Sequence, residues 1–295
     1  MANDQATILE RPRIYQFKLG DAVFTNILEG HVTRGDLHPF VATNATAEQV
    51  EKLAGQYQLP FPKLEHSFTT TVIKIAGKLV AIDPGFGENS PMPSAGYFLQ
   101  TLAAAGYKKE DIDLLVISHS HPDHIGNLMT AGEPTFPNAE VVYGRREFDY
   151  WQRGENIAEF RQPTLALFQK VALPLADRIR FIEPGDSILP GMTAVEAYGH
   201  SAGHLAFHIE SDGQQLMMLN DTVAHYVASF AEPDWAFSMD DDADAAAISR
   251  RRLLTEVSQK NIPVIGFHLP FPAIGFVEKN ASAFSYRPAT YQFNV

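Results

Sequence analysis

The sixteen residues from Asp113 to Leu128, DLLVISHSHPDHIGNL, restrict what this chain can become more than any other stretch. Leu114 to Ile117 form an unbroken apolar run of strand length, so a buried strand is expected there, followed by a crowded polar turn. Within six residues that turn carries His119, His121, Asp123 and His124. Imidazole nitrogen and carboxylate oxygen are donors that borderline divalent cations accept, and four such groups buried without a partner would be costly. His119 and His121 share a face on an extended chain, because side chains alternate with a period of two. Pro122 then turns the chain and separates Asp123 and His124 from the first pair. The spacing predicts two adjacent metal pockets, one for each pair.

The same pattern recurs downstream. A strand expected over residues 192–198 runs into Gly199-His200-Ser201-Ala202-Gly203-His204, whose glycines let the backbone approach closely. His200 is the better ligand candidate, and His204 is expected to brace the loop from behind. The run GQQLMMLND ends a strand at Asp221, and IPVIGFH ends another at His268. Each candidate therefore sits at the end of an apolar strand, where a layered α/β sandwich gathers a site from distant sequence. Asp83 closes a hairpin read over residues 68–82. It is either a turn initiator or an outer carboxylate that orients a ligand histidine, and local sequence leaves both open. His31, His38, His66 and His208 are expected at the surface or hydrogen-bonded in the core.

The remaining elements fit an α/β layer architecture in one domain spanning residues 1–295. Residues 14–28 read as a hairpin around Gly20-Asp21, and helices are expected near 97–105, 145–151 and 157–171. Residues 36–64 form an excursion with a helix capped by Thr46 and its partner Gln49, expected as a lid or dimer arm. A hydrophobic fraction of 45% over 295 residues suffices for a large core. The net charge of −12 disfavours nucleic acid or an anionic membrane as partner. The basic run Arg250-Arg251-Arg252 reads as a solvated or salt-bridging helix face. With no cysteine in the chain, disulfides, thiol catalysis and thiolate ligands are excluded. MANDQATILERPR lacks the pattern of a secretory signal, so a cytoplasmic protein is expected.

His119-Ser120-His121-Pro122-Asp123-His124, the 199–204 element, Asp221 and His268 occur in the order seen in the metallo-β-lactamase superfamily, which this chain resembles over most of its length. The resemblance implies an αββα four-layer metallo-β-lactamase sandwich with a two-metal centre. It assigns His119, His121 and His200 to one cation, Asp123, His124 and His268 to the other, and Asp221 to both. The carboxylate at Asp221 points to the lactonase, thioesterase and phosphotriesterase branches. Phe136-Pro137-Asn138-Ala139, Asp149-Tyr150-Trp151 and the run from His268 to Gly275 are similar to the methyl parathion hydrolase-like subgroup.

The chemistry expected is hydrolysis of a small neutral ester, lactone or organophosphate. Two divalent ions at roughly 3.5 to 4 Å can hold a bridging hydroxide, because coordination lowers the pKa of water from about 15.7 to near 7. Zinc is the first expectation, with manganese, iron or cobalt as alternatives. Asp123 or Asp221 would accept the proton. Trp151, Phe168, Leu269 and Phe271 are expected to line the substrate pocket, with His225 beside them. Tyr226 lies too far past Asp221 for the carbonyl-assisting role of a lactonase tyrosine. A homodimer is expected from the excursion and the resemblance. The competing readings are a diiron oxygen-reducing protein, a nuclease and a non-hydrolytic scaffold, all of the same fold.

Overall fold

The computed structural model describes residues 11–289 and 292–295, so most of the N-terminal stretch on which the localisation expectation rests lies outside the described residues. Strands β1 (Ile14–Leu19) and β2 (Ala22–Arg34) form the expected first hairpin. Helical segments α1 (Leu37–Phe40) and α2 (Ala47–Gln56) precede a second hairpin of β3 (Leu64–Ile75) and β4 (Lys78–Ile82). Next come α3 (Phe98–Ala104), β5 (Leu114–Ile117), α4 (Pro122–Ile125) and a small ribbon of β6 (Met129–Thr130) and β7 (Glu133–Pro134). The first half ends with β8 (Glu140–Gly144), α5 (Arg145–Arg153), α6 (Gln162–Val171) and β9 (Ile179–Ile182). The second half opens with β10 (Ser187–Leu189), β11 (Met192–Glu196), β12 (Leu205–Ser211) and β13 (Gln214–Met218). It closes with α7 (Ala228–Ala231), α8 (Ala243–Lys260), β14 (Val264–Ile265), β15 (Ile274–Asn280) and β16 (Ala283–Pro288).

Two seven-stranded sheets result, ordered β1-β2-β3-β4-β5-β8-β9 and β10-β11-β12-β13-β14-β15-β16. Period-two alternation explains how they stack. Leu114 and Val116 of β5 face the second sheet and pack with Phe207, Leu216 and Met218, whereas Leu115 and Ile117 face outward onto Phe98, Phe148 and Phe168 of the helices. In β13, Leu216 and Met218 face inward while Met217 faces α8 through Leu253 and Val257. Strands buried on both faces read as continuous apolar runs, which is why β5 stands out in the sequence. The layers are helix, sheet, sheet, helix, as expected. Strands β4, β5, β8 and β9 are parallel, as are β13 and β14, and the loops that leave β5, β13 and β14 carry the site.

The 36–64 excursion packs on its own chain. Leu37, Phe40, Val50 and Leu53 join Val227 and Phe237 in one apolar cluster. Thr46 and Gln49 form the capping box read from the sequence. Of the two readings of the basic run, Arg250 takes the salt-bridging one, pairing with Asp240 at 3.2 Å, but from a buried position, where its guanidinium also donates to the carbonyls of Thr222, Pro233 and Trp235. The i, i+3 and i+4 pattern of α8 turns Arg250 toward the core between Leu253 and Leu254, whereas Arg252 stays exposed.

Candidate metal centre

The turn after β5 does what its spacing predicts. His121 is the cap residue of α4 and Pro122 occupies its first turn, where a missing N–H costs nothing, so Asp123 and His124 ride on the new helix. His200 lies in the turn between β11 and β12. Gly199 there has φ +124°, and a Cβ would meet the Ala246 nitrogen at 2.0 Å, so only glycine permits this approach to α8. Asp221 follows β13 and His268 follows β14. The ligand-type atoms of His119, His121, His200 and Asp221 all lie within 4.8 Å of one another, as do those of Asp123, His124, Asp221 and His268. Asp221 is common to both groups: its Oδ2 is 3.2 Å from His200 Nε2 and 2.9 Å from His268 Nε2, and its Oδ1 is 3.3 Å from His124 Nε2.

The outward-facing ring nitrogens are held from behind. His124 Nδ1 donates to Asp83 Oδ2 at 2.9 Å, and the Ser118 hydroxyl donates to the same oxygen at 2.6 Å while meeting His119 Nδ1 at 3.0 Å. Asp83 thus orients two histidines at once, the outer-carboxylate alternative of the two read from sequence. His268 Nδ1 donates to the Ser67 carbonyl, and His200 Nδ1 donates to Asp240 Oδ1. His204 braces the loop as expected, donating from Nδ1 to the Ala197 carbonyl while Nε2 accepts from the Asp221 backbone N–H at 3.3 Å. These contacts fix tautomers that turn the opposite nitrogen inward.

Sequence reasoning missed three buried groups in this frame. Asp240 links His200 to Arg250, but in the run Asp240-Asp241-Asp242 it looks no different from Asp242, which caps α8. Glu147, fully buried, accepts from Ser120 N, Gly203 N, Ser201 Oγ and Trp151 Nε1 and so ties both loops that carry the ligand-type histidines to α5. His66, expected at the surface or hydrogen-bonded in the core, is buried as the second alternative has it, and stacks on His268 with ring centroids 4.0 Å apart, a neighbour the sequence did not point to.

Burial, then neighbouring charge, sets the protonation. Burial and the adjacent imidazoles keep His119 neutral, and burial followed by the Arg161 guanidinium does the same for His121. Burial also opposes charge on His124 and His200, yet Asp221 and its neighbours win, raising His124 and pushing His200 up to about 9. His204 is pushed down to about 3 by burial. Asp221 is held well below the usual carboxylate range although burial opposes this, because His268 and His124 flank it.

A cleft of about 360 Å³ opens onto His121, Asp123, His200, Asp221 and His268. Its walls include Phe40, Phe68, Phe86, Phe160 and Phe237, with Arg161 among them. None of the expected wall residues is among those lining it. Trp151 and Phe168 face inward from α5 and α6 into the helix–sheet core, and the Trp151 indole is committed to Glu147. Leu269 is in the core under α8. Phe271 and His225 instead line a neighbouring cavity of about 450 Å³, with Tyr226. His66 and Val32 belong to both cavities.

Cations fit this donor set. Nε2 of His119, His121 and His124 and Oδ1 of Asp221 are buried with no hydrogen-bond partner among the described residues, an arrangement expensive to keep unless a ligand satisfies it. Comparison with known proteins supplies the family. Residues 69–263 match the model of the metallo-beta-lactamase superfamily. An N-acyl homoserine lactonase of Bacillus cereus is 28% identical over 167 residues, 56% of this chain and 59% of the relative. The N-acyl homoserine lactonase AiiA of Bacillus thuringiensis subsp. kurstaki is 26% identical over the same shares. The chain thus spans 59% of the length of these curated relatives. Among solved structures, AidC, a dizinc quorum-quenching lactonase in complex with a product, superposes with a TM-score of 0.89 at 24% identity, covering 95% of this chain and 98% of that one. The hydrolase AbOPH superposes with a TM-score of 0.88 at 23% identity, covering 96% and 100%. At these identities the two structures speak to the fold.

Proposed function

The chain belongs to the metallo-beta-lactamase superfamily, and from that premise we propose that it is a metal-dependent hydrolase whose substrate is a lactone. The observation that carries the proposal is a pair of adjoining His/Asp groups that share Asp221 and open onto an aromatic cleft. His119, His121, His200 and Asp221 would hold one divalent cation, and Asp123, His124, His268 and Asp221 the other. Zinc is the first choice for this nitrogen and oxygen set, with manganese, iron or cobalt as alternatives. Bound there, the cations would supply an activated water near neutral pH and polarise the ester carbonyl.

The chain's own groups divide the remaining work. Asp221 is buried and engaged by three histidines, which leaves it a scaffold for the centre. Asp123 keeps 13% of its side chain exposed and lines the cleft, so its carboxylate is the group placed to take the proton of the attacking water and return it to the leaving alkoxide. The phenylalanine walls exclude water and receive the apolar part of the substrate. A second reading, turnover of aryl esters or organophosphates, is favoured by the same aromatic walls.

Elemental analysis of the purified protein should find about two divalent ions per chain. Lactone hydrolysis followed by proton release should vanish on chelation and return when metal is restored. Absence of bound metal in the folded protein would sink the metallohydrolase reading, and a fully loaded protein inert toward lactones but active on aryl esters or phosphotriesters would transfer the assignment to the second reading.

A further inference from the structure

His225 has no part in the metal groups or the cleft. Only 5% exposed, it borders the neighbouring cavity of about 450 Å³. Its Nδ1 accepts from the Val227 and Ala228 N–H groups, each at 3.1 Å, and burial pushes the ring down to about 4, so it is neutral and its proton sits on Nε2. Among the described residues that Nε2–H has no acceptor, yet it is not sealed from solvent, which leaves it presented to the cavity. The Tyr226 ring stacks on it with centroids 4.7 Å apart, and the half-buried Tyr226 hydroxyl likewise has no partner among the described residues. Charge in this cavity runs against that of the chain. The protein carries −12 overall, but the described lining brings Arg11, Lys63 and three imidazoles against one carboxylate, Glu65, which Arg11 pairs at 3.1 Å. Lys63 has no ion pair among the described residues, so its charge is uncompensated. His31 is held below its ordinary value by burial first and then by Arg11 and Arg13, with Glu65 opposing, which marks the local field as positive.

We propose that this cavity is a binding site for an apolar monocarboxylate, its carboxylate taken by His225 Nε2–H, the Tyr226 hydroxyl and Lys63, and its hydrocarbon lying against Leu28, Leu59, Leu64 and Phe271. A carboxylate suits these groups because its two oxygens accept several donors at once, and charge strengthens each bond. The hydrocarbon gains from the apolar wall, in a volume ordinary for a small-molecule site. A cation of the same length would face Lys63 and the positive field, and an alcohol would leave a donor unpaired. None of the seven ligand-type residues lines this cavity, and His66, shared by both concavities and stacked on His268, stands between. The site therefore binds without turnover, and it does not depend on the lactone reading.

Calorimetric titration of the metal-loaded protein with octanoate, 1-octanol and octylamine tests the site. Octanoate should bind saturably, and the alcohol and amine of equal length about tenfold or more weaker, the range for a hydrogen bond to a charged group. Tyr226→Phe should weaken octanoate by about tenfold with metal content unchanged. Lys63→Glu, at an exposed position where the fold tolerates change, should weaken it by about threefold or more and narrow its margin over octylamine. Octanoate could instead reach cations in the cleft, and the variants separate the two places. Affinity that either variant leaves unchanged puts the carboxylate outside this cavity and overturns the proposal. Absence of binding overturns it as well, as does octanol binding as tightly as octanoate, which would make the cavity an apolar hole only.

Discussion

Two concavities flank the stacked rings of His66 and His268. The cleft, at about 360 Å³, is the smaller, and the cavity beyond Tyr226 and Phe271 reaches about 450 Å³. Both contain imidazoles. In the larger cavity, His225 Nδ1 already accepts from the backbone N–H groups of Val227 and Ala228, and burial pushes the ring down to about 4, so it stays neutral. Burial likewise keeps His66 neutral. Among the described residues the larger cavity's one carboxylate is the exposed Glu65, whereas the cleft has Asp123 and Asp221 within reach of several histidines. Volume therefore does not distinguish the two, and the convergence of anionic and imidazole donors does.

That contrast can be broken at its strongest point first. Asp221→Ala removes the oxygen donor shared by both groups, so metal content and lactone turnover should both fall by more than the about 100-fold typical of an outer partner. Retention of two ions with near-normal rates would erase the distinction between cleft and cavity. Next, Asp83→Asn and Asp240→Asn leave the ligand set intact but weaken the carboxylates behind His124 and His200. Each should cost about 10- to 100-fold in metal affinity, read by competition with a chromophoric chelator.

A pH effect sharpens the picture of the cleft's outer wall. Glu29, buried in β2, accepts from the Phe86 and Gly96 N–H groups and so anchors the loop that brings Phe86 into the cleft. Burial pushes its carboxyl up to about 7 from 4.5. The folded state thus binds the extra proton between these values, and stability is lost as pH rises from about 4.5 through about 7, then levels off. The span is on the order of 3 kcal/mol. Glu29→Gln should flatten this slope in denaturant titrations across the window, and an unchanged slope would assign the pH dependence elsewhere. The smallest effect is expected on the far side: Tyr226→Phe should leave lactone kcat/KM within about twofold. A large loss would extend the reactive site into the second cavity.

The seven ligand-type residues were legible because each belongs to a local pattern. An apolar run that must be a buried strand ends abruptly in His or Asp, and that transition carries its own physical reason. The layers were legible for the same cause, since β4, β5, β13 and β14 announce two buried faces through continuous hydrophobicity. Cleft walls carry no such mark. Trp151 and Phe168 look like plausible walls, and Phe40 and Phe237 look like ordinary core, until the chain decides which face of each element turns inward.

Sequence alone determined the donor chemistry and the split of His119 and His121 from Asp123 and His124, because these follow from alternation, turn residues and the identity of side chains close in the chain, whereas the four-layer sandwich and the full grouping were expected from the family resemblance. Tertiary structure alone decided that Asp83 serves two histidines, that Asp240 and Glu147 join the frame, and that Arg161 stands at the cleft. Most of those roles arise from partners between 27 and 80 positions apart in the chain, for a carboxylate or guanidinium is defined by what desolvates and pairs it, and distant segments supply that only once they are packed.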